Sequence, residues 1–147
     1  MHTDNTVERR QSAEQLINSM INERNQLLAL LFQATRMDTI DKEFLEEFCQ
    51  ILVDYIAAGH FILYDRILEK RERRKSIVEL AEKIYPEIDK YTQVALDFNE
   101  KYNSVDEALK NQSLKNDISL LGESLTARIE LEDRLISSLS VGQKAED

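Results

Sequence analysis

The sequence predicts an all-α protein, and three observations carry this prediction. The 147 residues include only one proline and three glycines, whereas a β-rich chain has many turns and needs more of both residue types in them. Charged residues make up 32% of the chain and hydrophobic residues 42%, a balance that suits amphipathic helices. Apolar residues recur three and four positions apart over long stretches, which is helical spacing. We therefore expect an antiparallel, four-helix-bundle-like single domain with a short extra helix.

Four main helices follow from this spacing. A polar break, "TRMDTID", separates the first helix from the second, and Thr39 or Asp41 offers a side chain that could cap the second helix. Pro86 lies inside the third helix and predicts a kink or a split there. The predicted helices cover about residues 10–35, 41–70, 76–102 and 113–140.

The short extra helix is predicted at "NSVDEAL". Ser104 and Glu107 have the spacing of a capping box, in which each side chain bonds the other residue's backbone N–H. The whole chain, residues 1–147, has the size of one domain. We expect flexible ends over about residues 1–9 and 141–147, because both are polar and lie outside the apolar pattern.

Charge and composition limit the partners and the compartment. The formal net charge is −9, so direct binding to nucleic acid or to an anionic membrane is disfavoured and basic partners are favoured. Cys49 is the single cysteine and cannot form an internal disulfide, which fits a reducing compartment. No apolar run approaches the roughly 20 residues that span a bilayer, and the first residues do not resemble a signal peptide. We expect a cytoplasmic protein.

The second helix has two different faces, and the stretch "VDYIAAGHFILYDRI", residues 53–67, contains both. At about 100° per residue, one side gathers an apolar set that faces the core, with Gly59 among it. A glycine inside a helix costs about 1 kcal/mol relative to alanine. Either another element approaches closely at Gly59, or the glycine is simply tolerated. The apolar set is Leu45, Leu52, Ile56 and Leu63.

The opposite side of the second helix is acidic and carries Phe61. An aromatic side chain surrounded by charges is typical of a binding hot spot. The alternative is that another part of the chain covers Phe61. The acidic positions on this side are Glu43, Glu47, Asp54 and Asp65.

Two polar residues, His60 and Glu132, fall where the apolar pattern disfavours them. His60 beside carboxylates could serve acid–base chemistry, but a half-buried histidine bonded to a neighbouring helix is the simpler interpretation. Glu132 lies in the apolar stripe of the last helix. It either pairs with His60, Arg66 or a tyrosine hydroxyl and fixes helix register, or it lies open to water at a bundle end.

Catalysis and metal binding find no support in the sequence. No serine or cysteine sits in a recognisable nucleophile motif, and no glycine-rich phosphate loop is present. Two histidines and one cysteine are too few for a zinc site or for a di-iron bundle with paired Glu-x-x-His motifs. We therefore expect no enzymatic activity, no metal and no cofactor.

Four segments resemble the Rsd/AlgQ family of bacterial anti-sigma factors. "FCQILVDYIAAGHFILYDRIL", residues 48–68, resembles the signature helix of the family, and "LGESLTARIELEDRLI", residues 121–136, resembles its C-terminal helix. "KIYPEI", residues 83–88, and "RNQLLALLF", residues 24–32, are similar to its aromatic–proline junction and its first helix. The order of the motifs is the same, and the resemblance covers nearly the whole chain.

The resemblance implies a helical fold that binds the primary, sigma-70-type sigma factor of RNA polymerase. The chief target would be region 4, a small basic domain that reads the −35 promoter element. Binding would keep the sigma factor from core polymerase and promoter DNA, and would favour alternative sigma factors as growth slows. Some members of the family are linked instead to another regulatory protein, the phosphocarrier HPr, which stays the alternative main partner. The implied partner-binding residues are Asp54, Ala57, Ala58 and Phe61, followed by Tyr64, Asp65 and Leu68.

Overall fold

A computed structural model describes the backbone of residues 2–68, 72–102 and 112–146. Within those ranges every regular element is helical, which confirms the predicted all-α bundle. The predicted short extra helix, with Ser104 and Glu107, lies outside the described residues. The elements are α1 (His2–Arg36), α2 (Lys42–His60), a π-helical segment (Phe61–Leu68), α3 (Lys75–Lys101) and α4 (Leu114–Glu146).

The ends of the helices agree with the predicted pattern in part. Asp41, rather than Thr39, caps α2, because its Oδ1 accepts a 2.8 Å hydrogen bond from the Phe44 N–H. α1 and α4 both extend beyond the predicted bounds, so they reach into the two ends that the sequence leaves polar. Flexibility of those ends stays a prediction.

α3 continues through Pro86, so of the predicted kink or split the split is wrong, and the kink stays a prediction. Pro86 is exposed on the outer side of the helix. Ile84 and Ile88, on either side of it, are both buried in one apolar cluster. Packing therefore outweighs the loss of one backbone hydrogen bond at the proline.

Two apolar clusters form the core. The larger cluster joins the middle of α1 and α2 to the end of α3 and the start of α4, with Phe48, Tyr55 and Phe98 among its buried rings. The smaller cluster joins the π-helical segment to the first half of α3 and the later part of α4. α1 packs against both α2 and α4. The contacts Arg24–Asp133 and Met37–Lys115 show that α1 and α4 run antiparallel.

The π-helical segment is the main departure from the predicted fold, since the sequence predicts one uninterrupted α-helix to about residue 70. In a π-helix the hydrogen bonds run from i to i+5, so each residue turns through less than the α-helical 100°. Leu68 is consequently half-buried and packs against the smaller cluster. The expectation that Leu68 shares the side of Phe61 rests on α-helical geometry, and a partner-binding role for Leu68 stays a prediction.

Candidate partner-binding face

Phe61, the first residue of the π-helical segment, and the α2 residues one and two turns before it share one side of the helix. The Phe61 side chain is 55% exposed, and Asp54 and Ala57 are exposed beside it. The structure therefore excludes, for its described part, a covering segment over Phe61. We call this surface the α2 face; its members are Asp54, Ala57, Ala58, Phe61 and Tyr64. Asp65 belongs to the predicted set, but its side chain lies outside the described residues.

The acidic character of the α2 face comes from two helices. Asp54 accepts a 3.0 Å hydrogen bond from the side-chain amide of Gln50. Glu23 on α1 lies near it, and burial, together with the negative charge of Asp54, raises the pKa of the Glu23 carboxyl. Among the described residues, Glu23 Oε2 is buried without a hydrogen-bond partner. A basic group arriving here would relieve the repulsion between the two carboxylates.

A row of aromatic rings extends the α2 face towards α3. The His60 and Tyr64 rings lie 4.5 Å apart, and the Tyr64 and Tyr85 rings meet edge-to-face at 4.5 Å. His60 is exposed and packs against the rings of Phe61 and Tyr64. The expectation of a half-buried His60 bonded to a neighbouring helix is therefore wrong, since it sits on the outer side of the helix.

Beneath the α2 face, Glu132 is buried and only 6% exposed. The Tyr55 hydroxyl donates a hydrogen bond to Glu132 Oε1, and Arg128 Nε lies 3.6 Å from the same oxygen. This confirms a tyrosine partner among the three that the sequence suggested, and it excludes the bundle-end position open to water. Burial raises the pKa of the Glu132 carboxyl, although Arg128, Tyr55 and Arg24 oppose that effect.

Two arginines of this buried network are not predicted by the sequence analysis. Arg128 is 2% exposed, and Arg24 is 8% exposed and pairs with Asp133 at 2.6 Å. Arg128 lies in the apolar stripe of α4, and this position is a sequence signal that predicts its burial. The stripe runs through Leu121, Leu125, Arg128, Glu132 and Leu135. The Arg128 guanidinium also lies over the Tyr55 ring, 5.3 Å from its centre.

Gly59 makes room for this network. A Cβ at position 59 would come within 2.6 Å of Arg128 Nη2 and 3.4 Å of Glu132 Oε2. Of the two interpretations that the sequence allowed, close approach is confirmed, and the approaching group is a buried side chain of α4. The network thereby fixes the α2 face against the last helix.

The chemistry of the described residues suits binding. Within them, no three His, Cys, Asp or Glu side chains come together as a metal ligand set. In the same ranges, no helix has the length and apolar character that crossing a membrane requires. The described residues form a helical protein with an exposed aromatic ring, Phe61, and an exposed carboxylate, Asp54, on one side of a helix.

Comparison with known proteins identifies the family. Residues 1–140 match the family described as "Regulator of RNA polymerase sigma(70) subunit, Rsd/AlgQ". The chain is 32% identical over 143 residues to proteins named "Regulator of sigma D" from Escherichia coli O139:H28 and from Shigella boydii serotype 18. In each case the alignment covers 90% of this chain and 89% of the relative. The chain belongs to the Rsd/AlgQ family of regulators of RNA polymerase sigma(70).

Proposed function

We propose that the protein binds the primary sigma factor through the α2 face, chiefly at region 4, and sequesters it from core polymerase and the −35 promoter element. The mechanism is stoichiometric and needs no catalysis. The observation that carries the proposal is the exposed Phe61 ring, with Asp54 two turns before it on the same side of the helix and Glu23 of α1 close to Asp54. Such a surface suits a basic, DNA-reading domain, which must present cations to phosphate.

The energetics favour the same partner. Burying the 55% exposed Phe61 ring in a pocket of the partner would supply the apolar part of the binding free energy. The carboxylates would speed association with a basic domain and would exclude acidic partners. A sigma domain held in this way could not place the same basic side chains on promoter phosphates. Binding of the protein would therefore be enough to keep the domain from the promoter.

The test is a comparison of two matched aromatic truncations. Phe61→Ala on α2 and Phe32→Ala on α1 each remove an exposed ring, 55% and 61% exposed respectively. We expect Phe61→Ala to weaken binding to full-length sigma factor and to isolated region 4 by at least tenfold, as for a hot-spot residue. Phe32→Ala should bind like the unmodified chain. Circular dichroism spectra should match for both variants.

A second variant and a competitor complete the test. Asp54→Ala should also weaken binding, mainly by slowing association. Core polymerase should compete with the protein for the sigma factor. If Phe61→Ala and Asp54→Ala bind region 4 with unchanged affinity, the proposal is wrong. Recovery of HPr but no sigma factor from a lysate would favour the alternative partner.

A further inference from the structure

The α2 face does not end at α2, because Tyr64 is in contact with α3. Its ring lies between His60 and Tyr85, with both ring centres 4.5 Å away. Tyr85 is half-buried, so one side of the ring is held by the smaller apolar cluster while the other reaches the surface. Two helices therefore present one continuous row of aromatic rings.

The side of α3 that meets this row is acidic. Glu82 and Asp89 lie three residues before and four residues after Tyr85, so both share its side of the helix. Both side chains are exposed. Glu87 is equally exposed but is two residues from Tyr85, about 200° around the helix. The pattern of the α2 face, an aromatic ring near carboxylates, is thus repeated on α3, on the other side of the Tyr64–Tyr85 contact.

The size of an ordinary protein interface also requires more than one helix. A standard interface buries about 800 Å² on each partner and involves roughly 20 residues. The five residues of the α2 face cannot supply that area. The α3 side around Tyr85 adjoins the α2 face, because the Tyr64 and Tyr85 rings are in contact.

We propose that the partner-binding face crosses from α2 onto α3, where Glu82 and Asp89 receive basic side chains of the same sigma-factor domain. Tyr85 acts as a positioning residue, because its ring contacts the Tyr64 ring and fixes the orientation of that ring between the two helices. This inference rests on the proposed function and adds α3 to it. The partner is a basic protein domain, since carboxylates flank the aromatic row on both helices.

The experiment uses charge reversals on the full-length protein. Glu82→Lys and Asp89→Lys are each compared with Glu87→Lys, because each of the three single variants changes the net charge by the same amount and Glu87 lies on the other side of α3. With isolated region 4 as the probe, we expect the Glu82→Lys/Asp89→Lys double variant to bind about tenfold more weakly, chiefly through slower association. Glu87→Lys should stay within about twofold, because only the long-range charge has changed.

Tyr85 needs a separate measurement, since its truncation also affects the core. Tyr85→Phe keeps the ring contact and should keep full affinity. If Tyr85 acts through Tyr64, the double variant Tyr64→Ala/Tyr85→Ala should bind no more weakly than Tyr64→Ala alone. Additive losses in this cycle would contradict a positioning role.

The outcomes separate this inference from the proposed function. If Phe61→Ala weakens binding while both charge reversals match Glu87→Lys, the extension onto α3 is wrong and the α2 face stands. If Phe61→Ala leaves region 4 binding unchanged, the proposed function is overturned. Loss of binding in Phe61→Ala and in the double reversal, with Glu87→Lys unaffected, supports both.

Discussion

Gly59 lies directly against the guanidinium of Arg128, and the two residues come from helices that flank the core. A Cβ at position 59 would approach Arg128 Nη2 to 2.6 Å, whereas a Cβ at Gly122 would meet only Leu31 Cδ2 at 3.8 Å. One glycine is required by its neighbour, and the other is not. The two positions therefore give opposite expectations for the same substitution.

Gly59→Ala should destabilise the protein, although alanine is the better helix former. The end of the Arg128 side chain would have to move, which would disturb its position beside Glu132 and over the Tyr55 ring. We expect a loss of about 1–2 kcal/mol in the free energy of unfolding, measured in urea. Gly122→Ala is the control and should gain up to about 1 kcal/mol. Equal changes in both variants would contradict the close approach at Gly59.

Glu132→Ala should be strongly destabilising, because it leaves the guanidinium of Arg128 buried without a carboxylate. Removal of one partner from a buried ion pair costs about 3–5 kcal/mol. Tyr55→Phe removes only the hydroxyl and should cost about 1 kcal/mol. Urea unfolding of both variants checks the order, and a larger loss for Tyr55→Phe would overturn this account.

The raised pKa of Glu132 gives a signed pH dependence. The folded state holds this proton more tightly than the unfolded chain, whose carboxyl has its usual pKa of 4.5. As pH rises from 4.5 through the folded-state pKa, the Glu132 contribution to stability therefore falls. The difference in unfolding free energy between the parent and Glu132→Gln should change with this sign. A rise over the same window would refute the direction of the shift.

Asp117 has the opposite dependence. Its carboxylate bonds Lys101 Nζ at 2.7 Å and the Tyr102 hydroxyl, and the bond to Lys101 is the larger reason why its pKa is lowered below 3.8. Its stabilisation is present above pH 3.8 and is lost as pH falls through the folded-state pKa. Asp117→Asn should thus destabilise at pH 7 by about 1 kcal/mol, with solvent screening limiting the effect. Asp97→Asn, an exposed site, should change little.

Sigma-factor binding should weaken as salt concentration rises, because salt screens the charges of the α2 face. Asp54→Asn should lower the slope of log affinity against log salt, while Phe61→Ala should lower affinity with the slope unchanged. Titrations between about 50 and 300 mM salt, roughly a 2.4-fold change in Debye length, would measure both. A salt-independent affinity would remove the electrostatic part of the proposed function.

Periodicity predicts most of this fold because each helix buries a stripe that is visible in the sequence. The α2 face is predicted as far as Phe61, where the α-helical rotation still holds. Beyond it the π-helical segment changes the rotation, and Leu68 turns towards the core. No local preference of "FILYDRIL" marks that change; the structure shows the segment packed against α3 and within the smaller cluster.

The buried arginines were missed for a different reason. Arg24 and Arg128 are buried because of partners on other helices, and the sequence does not state which helices meet. Arg24 bonds to Asp133, which lies 109 residues later in the sequence, and Tyr55 bonds to Glu132, which lies 77 residues later. The sequence predicts an unusual environment for Glu132 because a carboxylate interrupts the apolar stripe of α4. Arg128 interrupts the same stripe and carries the same signal.

The position of these partners along the chain has a consequence for synthesis. Both carboxylates, Glu132 and Asp133, lie on the last helix, while Tyr55 and Arg24 belong to the first two. At 5–20 residues per second, the ribosome needs about 4–15 s to travel from Tyr55 to Glu132. Until then Tyr55 and Arg24 lack their partners on α4, although α1 and α3 can already pack against α2. The face proposed to bind the sigma factor would therefore reach its final packing only when α4 is complete.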